Sequence, residues 1–415
     1  MFNHFEALLG GINREANVNP LLPRGYQFIG QCIKDDEISR VFHPVVFRVK
    51  SGSNSGVKLV GPDLAALAPE ESPLGIEIEL NGGSQVSSYC GIFEKMPPLF
   101  LREISGVEIS PAGSFFQLKI SQDAKTAGFS LPELGKILQS GLLSVLGGMI
   151  KQVGVTVYSL EHDCLALSKV CLEERKQRAA MEFWFTDREA DPFFACHICS
   201  SYSPRQVCIL RPEKPALCGV YNWRDAQLIF RLDPSGPFRP VTKGRLWDEL
   251  GGEWQGVNEY LNLHTGGKIT RVKAYSLLQA PETACSCAQV IAALVPEVQG
   301  FLLVSREYRG LTPLGLTVAE ILEYLLRETS TPGFAGLSRA YLRNPRFLKA
   351  EGGTNRLVWI SQDLKREWDE TGRLPGVSEK FWLQLPGEHQ AQTLPELIAY
   401  LNKVGHPVLT MENLI

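Results

Sequence analysis

The sequence carries little surplus charge: 42 Lys and Arg stand against 45 Asp and Glu, a formal net charge of −3. So balanced a chain exerts no general pull on nucleic acid or on an anionic membrane, and any anionic ligand must be met by a local basic pocket. No apolar run reaches the ~18 residues that a membrane span needs. The opening stretch, MFNHFEALLGGINREANV, has no basic segment followed by a long apolar one, so it does not read as a secretory signal. The expectation is a cytoplasmic protein without nucleic-acid or membrane partners. Low-complexity tracts are also missing. With 44% hydrophobic and 21% charged residues the composition is that of a globular chain and excludes extended disorder. At 415 residues it exceeds the ~250 to 300 at which one core stops growing, which predicts two domains.

Cysteine is sparse as well. Ten in 415 residues are too few for a secreted disulfide scaffold, and in a reducing compartment their thiols stay available as ligands or nucleophiles. Cys32, Cys90, Cys164 and Cys171 are scattered through apolar settings and read as small buried hydrophobes. Cys196, Cys199, Cys208, Cys218, Cys285 and Cys287 are gathered in the second half.

The pattern along the chain predicts mixed α/β (α+β) structure in both halves. GIEIEL at Gly75 to Leu80 alternates apolar and acidic residues, a half-buried strand by its period of two. Ser114 to Ile120 reads alike. Ser130-Leu-Pro-Glu133 is a capping box that opens an apolar helix running to about Val153 and passing into VTVYSL. The charged stretch Glu173 to Arg178 leads into the aromatic EFWF, and the domain boundary is placed near residue 188. This gives an α/β domain over 1–188, contacting coenzyme or partner, and an α+β domain over 189–415 that carries the cysteine cluster. Within the latter, Gly300 to Val304 reads as a strand. Thr317-Val-Ala-Glu320 and Thr393-Leu-Pro-Glu396 cap helices, the second stopping at Gly405. The two LPEL helix starts reflect shared capping chemistry and not an internal repeat.

Cys196-His-Ile-Cys199 is followed by Cys208 and Cys218 along a winding, proline-bearing segment. Four thiolates at this spacing suit an iron-sulfur cube, whose corners lie further apart than the ligands of one ion; a tetrahedral zinc site is the alternative. Cys285-Ser286-Cys287 is different. One intervening residue places two backbone amides between two thiolates, and the deprotonated amides of Ser286 and Cys287 would complete a planar set of two nitrogens and two sulfurs. Square-planar coordination of that kind is a nickel(II) or copper(II) geometry. A tight turn of small residues, or a redox pair, is the plainer reading of the same three residues. Because thiolates can bridge metals, these two sulfurs and one from the quartet could hold a further metal with a position left open, as a catalytic metal requires.

The stretch PFFACHICSSYSPRQVCILRPEKPALCGVYNW, then YSLLQAPETACSCAQVIAALVPE, SREYRGLTPLGLT, TPGFAG and KAEGG, over roughly residues 190 to 355, resembles the catalytic beta subunit of the CO dehydrogenase/acetyl-CoA synthase complex in order and spacing. The resemblance implies that Cys196, Cys208 and Cys218 bind a 4Fe-4S cluster, that Cys199 bridges it to a proximal nickel, and that Cys285 and Cys287 bridge that nickel to a distal one. The distal nickel also takes the backbone nitrogens of Ser286 and Cys287. The implied activity is acyl transfer: CO, a methyl group from a methylated corrinoid iron-sulfur protein and coenzyme A are joined into acetyl-CoA, with CO dehydrogenase a weak or transient partner.

The sequence departs from the family in three respects. Ser286 replaces a Gly, and Gly reaches backbone conformations that Ser reaches only at a cost. Tyr202 stands where the bacterial enzymes carry a Phe beside the open position. The long bacterial members have an N-terminal domain that docks on CO dehydrogenase, and this sequence resembles the short form. His197, between two ligands, is read as a packing or supporting residue. For coenzyme A, Arg205, Arg306 and Arg309 are candidate phosphate contacts, and solvated surface charge is the alternative for each. Two other readings stay open: a divergent relative serving another acyl or methyl transfer, and an interaction module stabilised by zinc or an iron-sulfur cluster.

Overall fold

A computed structural model describes residues 43–50, 52, 55–67, 73–94, 96–101, 104–112, 115–198, 207–280, 288–325, 331–374 and 376–415. The chain divides into two compact units between Trp184 and Phe185. Both are mixed α+β, as the periodicities predict.

The described strands of the first unit are β1 (His43–Val49), β2 (Gly56–Val60), β3 (Gly75–Gly82), β4 (Val107–Ala112), β5 (Phe115–Ile120) and β6 (Ile150–Tyr158). They form one mixed sheet in the order β2-β6-β3-β1-β5-β4. The alternation in β3 works as expected: Ile76, Ile78 and Leu80 are fully buried. Glu77 and Glu79 on the opposite face meet cations across the ladder, Glu77 with Arg48 and Glu79 with Lys50. Tyr158 on β6 donates a further hydrogen bond to Glu77 Oε2 at 2.9 Å.

The helix Leu131–Leu146 starts as predicted, with Ser130 Oγ accepting from the Glu133 amide at 3.3 Å. Its stripe of Leu131, Leu134, Leu138, Leu142 and Leu146 is buried at helical spacing. It ends seven residues before the expected Val153. Gly147 and Gly148 bring neither side-chain packing nor helix propensity, and the β-branched run that follows pairs with β3 as β6.

The charged stretch at Glu173 to Arg178 belongs to the long helix Glu161–Trp184. That helix lays Leu167 and Cys171 against Val46 of β1, and Arg178 pairs with the buried Glu94 at 2.6 Å. Cys90, Cys164 and Cys171 are buried thiols, as read from their surroundings; Cys32 lies outside the described residues.

In the second unit a sheet of order β14-β12-β13-β15 forms the core, from β12 (Val290–Val295), β13 (Gly300–Ser305), β14 (Phe334–Leu337) and β15 (Leu357–Ile360). Both central strands are buried along their whole length, so each face of the sheet is covered. Val318, Ile321 and Leu325 of the helix Val318–Leu325 and Leu397 and Leu401 of the helix Leu394–Val404 join Ile291, Leu302, Val304 and Trp359 in one cluster. Both helices carry the expected caps. Thr317 and Glu320 bond reciprocally at 2.7 and 3.3 Å, as do Thr393 and Glu396 at 3.1 and 3.4 Å.

Beside this core lies an antiparallel sheet of order β8-β7-β9, from β7 (Phe193–Cys196), β8 (Cys208–Leu210) and β9 (Phe238–Val241). A short hairpin, β10 (Leu246–Asp248) with β11 (Glu253–Trp254), leads into the helix Gln255–His264. Among the described residues no helix is long and apolar enough to cross a membrane.

Candidate functional site

The site is built on β7. All four of its residues are buried, because FFAC places an aromatic on each face and both are packed. Phe193 meets Trp254 edge-on at 5.5 Å between centroids, while Phe194 meets Trp223 at 6.2 Å and Phe230 at 5.9 Å. The Trp223 indole N–H donates to the Pro192 carbonyl at 2.9 Å, which fixes the start of the strand.

With β7 held in this way, its register with β8 pairs Phe194 with Leu210, Ala195 with Ile209 and Cys196 with Cys208. Residues directly opposite on antiparallel strands project from the same face with Cβ atoms ~5 Å apart. Two thiols separated by eleven residues of sequence are therefore side by side.

The chain then reverses at Arg211 to Lys214, whose backbone groups bond reciprocally at 3.0 and 3.1 Å, and turns again as the Gly219 amide donates to the Ala216 carbonyl at 2.9 Å. These reversals return Cys218 to the pair. The Cys208 thiol is pushed up to about 12, first by burial and then by Cys196, with Cys218 adding to the shift; Lys214 and the Leu217 amide act in the opposite direction. Burial also brings the Lys214 ammonium down to about 7. Backbone amides reach two of the sulfurs, Leu217 that of Cys208 and Val220 that of Cys218 at 3.4 Å.

This donor set fits an iron-sulfur cluster. Cys196 and Cys208 are buried, Cys218 lies half-buried beside them, and backbone N–H groups reach two of the three sulfurs, an arrangement that suits such a cluster. Among the described residues no group of three or more His, Cys, Asp or Glu is arranged to hold a metal ion. Cys199, Tyr202, Arg205, Cys285, Ser286 and Cys287 lie outside the described residues.

Described residues that follow Cys208 and Cys218 meet described residues on either side of the 281–287 segment. Gln289, two residues after Cys287, packs its amide on Gly219, the residue after Cys218: a Cβ placed on Gly219 would stand 2.7 Å from Gln289 Cδ. Upstream of Cys285, Tyr275 is buried against the Arg211 guanidinium at 4.7 Å and donates its hydroxyl to Asp187 and, at 3.3 Å, to Glu213. Arg211 meets Asp187 at 3.3 Å and the Gly252 carbonyl at 3.1 Å. Arg346 closes the group on Glu213 at 2.8 Å. Next to Tyr275 in sequence, Ser276 donates its hydroxyl to Glu351 Oε1 at 2.6 Å, and the Leu277 amide donates to the same oxygen at 2.9 Å. A buried polar frame thus ties the turn after Cys208 to the segment that leads to Cys285.

None of Asp187, Arg211, Glu213, Tyr275 and Arg346 was singled out from the sequence. The available signal was an Arg and a Lys flanking a Pro-Glu turn straight after an apolar strand, since buried charge needs partners. His197 packs against described neighbours: Nε2 lies 2.8 Å from the Tyr260 hydroxyl, Tyr260 stacks on His264, and burial lowers the His197 imidazole. Arg306 turns Nη1 to the Ala288 carbonyl at 3.3 Å, and Arg309 is exposed.

A family model for the C-terminal part of the ACS/CODH beta chain matches residues 173–415, and one described as CO dehydrogenase/acetyl-CoA synthase complex beta subunit matches residues 45–164. The chain is 31% identical over 362 residues to the carbon monoxide dehydrogenase/acetyl-CoA synthase subunit alpha of Moorella thermoacetica, covering 86% of this chain and 50% of that one. It is 30% identical over 356 residues to the acetyl-CoA decarbonylase/synthase complex subunit beta of Methanopyrus kandleri, covering 85% and 75%. With subunit beta 2 of the same complex from Methanocaldococcus jannaschii the identity is 29%, over 87% and 76%.

The matched regions take in both units and every cysteine of the candidate site. The chain belongs to the CO dehydrogenase/acetyl-CoA synthase complex beta subunit family. It spans half the length of the Moorella relative and about three quarters of the two archaeal ones.

Proposed function

We propose that the chain is an acetyl-CoA synthase, an acyltransferase that condenses CO, a methyl group delivered by a corrinoid iron-sulfur protein, and coenzyme A into acetyl-CoA. The observation that carries this reading is the gathering of the buried Cys196 and Cys208 with the half-buried Cys218, in a chain whose family is that of the synthase beta subunits. Cys196, Cys208 and Cys218 would hold a 4Fe-4S cluster and Cys199 would join it to a proximal nickel. Cys285, Cys287 and the backbone nitrogens of Ser286 and Cys287 would complete the two nickel sites. When bound, this group supplies a soft, redox-capable centre with an open coordination position at which two carbon fragments are held as neighbours.

The protein's own part is to prepare that position. The Leu217 and Val220 amides direct partial positive charge at the sulfurs and stabilise their ionised form. Phe193, Phe194, Trp223 and Trp254 keep water from the strand that carries Cys196. Tyr260 orients His197 one residue from Cys196. Tyr202 would shield the open position, its hydroxyl adding polarity. CO dehydrogenase, named together with the synthase in the Moorella relative, would be a weak or transient partner.

The test is metal analysis and turnover of one anaerobic, iron- and nickel-reconstituted preparation. About four irons and up to two nickels per chain are expected, together with acetyl-CoA formed from CO, coenzyme A and a methylated corrinoid. Zinc alone, without visible charge-transfer absorption, sinks the metal assignment. Full nickel loading without acetyl-CoA formation sinks the synthase reading and leaves a relative that serves another acyl or methyl transfer.

A further inference from the structure

Arg356 is 3% exposed, and its planar guanidinium donates to backbone carbonyls from three parts of the second unit. Nε reaches that of Glu351 at 3.0 Å, Nη1 that of Gln299 at 2.9 Å, and Nη2 that of Glu412. A guanidinium presents its donors in a rigid fork, so the three carbonyls do not move independently of one another. A buried charge that loses one of them also loses part of the dipole that compensates it.

Gln299 grips the same segment as Arg356 Nη2. Its Nε2 is fixed on the Pro296 carbonyl at 2.8 Å, while Oε1 accepts from the Leu414 amide at 2.6 Å and from the Ile415 amide at 3.2 Å. Met411 lies over Gly352, where an added Cβ would stand 3.0 Å from the Met411 methyl. Residues 411–415 are themselves exposed or half-buried. A segment that buries so little apolar surface opens at low cost.

From Arg356 the connections run inward. Glu351, whose carbonyl takes Nε, is also the residue whose Oε1 accepts from the Ser276 hydroxyl and the Leu277 amide. One residue thus faces the guanidinium with its backbone and the buried Ser276–Leu277 pair with its side chain.

We propose that residues 411–415 are a strap which, docked on Gln299 and Arg356, keeps Glu351 seated against Ser276 and Leu277, so that release of the strap loosens this buried pair. When the strap lifts, the Glu412 carbonyl leaves Nη2 and the guanidinium turns toward water. The Glu351 carbonyl follows the fork, and its carboxyl group shifts with the backbone. Two buried donors then lose their common acceptor together, and an opening at the surface is read in the interior.

Hydrogen exchange of the full chain, followed at Leu277, Leu414 and Ile415, tests the coupling. Gln299→Asn shortens the amide by one methylene and suits the left-handed backbone there, φ +52°, which Asn tolerates. Leu414 and Ile415 are expected to exchange ~10-fold faster, and Leu277 with them. Arg356→Lys replaces the fork by a single ammonium that does not span three carbonyls, and is expected to speed exchange at Leu277 at least as much. Should that variant fail to fold, Gln299→Asn decides alone. Thr393→Ala is the control: it removes the cap of the helix Leu394–Val404, a loss of stability of similar size, and is expected to leave Leu277 like the parent. Faster exchange at Leu414 with parent-like Leu277 overturns the strap, as does parent-like Leu414 in Gln299→Asn. Equal acceleration of Leu277 in Thr393→Ala and Gln299→Asn overturns it too, because Leu277 then reports global unfolding.

Discussion

Replacing Glu351 by Ala removes the acceptor that holds the approach to the Cys285 segment. The carboxyl group is 4% exposed, and its Oε1 takes both the Ser276 hydroxyl at 2.6 Å and the Leu277 amide at 2.9 Å. In the variant two buried donors have no acceptor, at a cost of ~1 to 3 kcal/mol each. Part of this is offset, since burial raises the Glu351 carboxyl above the usual range and Ala has no carboxyl to desolvate. A net loss of about 3 kcal/mol follows, which for a unit of this size lowers the thermal midpoint by roughly 6 to 12 °C. Glu351→Gln keeps a carbonyl oxygen where Oε1 sits and is expected to cost about 1 kcal/mol.

The two variants also respond differently to pH. A carboxyl whose native value is raised binds its proton more tightly when folded, so the parent loses stability as pH rises from the ordinary carboxylate range through that raised value. Gln does not titrate, and its deficit relative to the parent shrinks over the same interval. Calorimetric melts of the metal-free protein across this range, with hydrogen exchange at the Leu277 amide, measure both effects. A midpoint for Glu351→Ala within about 2 °C of the parent, with unchanged Leu277 protection, refutes the reasoning.

Arg211→Ala leaves Asp187 buried without its cation, and a loss of ~3 to 5 kcal/mol is expected in a denaturant melt; parent-like stability shows that the guanidinium is not paired in solution. His406 is 2% exposed, and burial lowers its imidazole to about 4. Because the unfolded chain binds that proton at ~6.5, stability from this group is present above ~6.5 and falls away as pH drops toward 4, by at most about 3 kcal/mol. A His406→Gln chain whose pH–stability slope between those values equals the parent's contradicts this. Cys199→Ala is expected to remove the proximal metal and Cys285→Ala both nickels; elemental analysis showing unchanged nickel in either refutes the bridging assignment. Cys208→Ala, which removes the central sulfur of the described trio, is expected to abolish iron loading, and four retained irons exclude Cys208 as a cluster ligand.

Much of the local structure was legible in the residue order. The strand at GIEIEL, the helix starts at Ser130, Thr317 and Thr393 and the stop at Gly405 all rest on interactions within a few residues, so short-range pattern suffices. The helix expected to reach Val153 stops at Leu146 because the following β-branched run is claimed by a distant partner, β3, and periodicity within a window does not register a partner outside it. The charged stretch before Trp184 was likewise not legible as helix for a related reason. Charge on one face of a helix is indistinguishable in sequence from charge in a loop until the opposite face, here Leu167 and Cys171, is seen against Val46.

By itself the sequence determined the chemistry available to this protein: which six sulfurs there are, how they are spaced, and which family they belong to. Ligand identity is a property of side chains and survives any rearrangement of the backbone. Only the tertiary structure decided that Cys196 faces Cys208 across a strand pair, that Gln289 rests on Gly219, and that Arg211, Asp187 and Tyr275 tie the turn after Cys208 to the chain around Tyr275. Those relations depend on strand register and on buried charges finding partners up to 88 residues away. They are settled when the chain packs and desolvates its polar groups together, not at any single position along it.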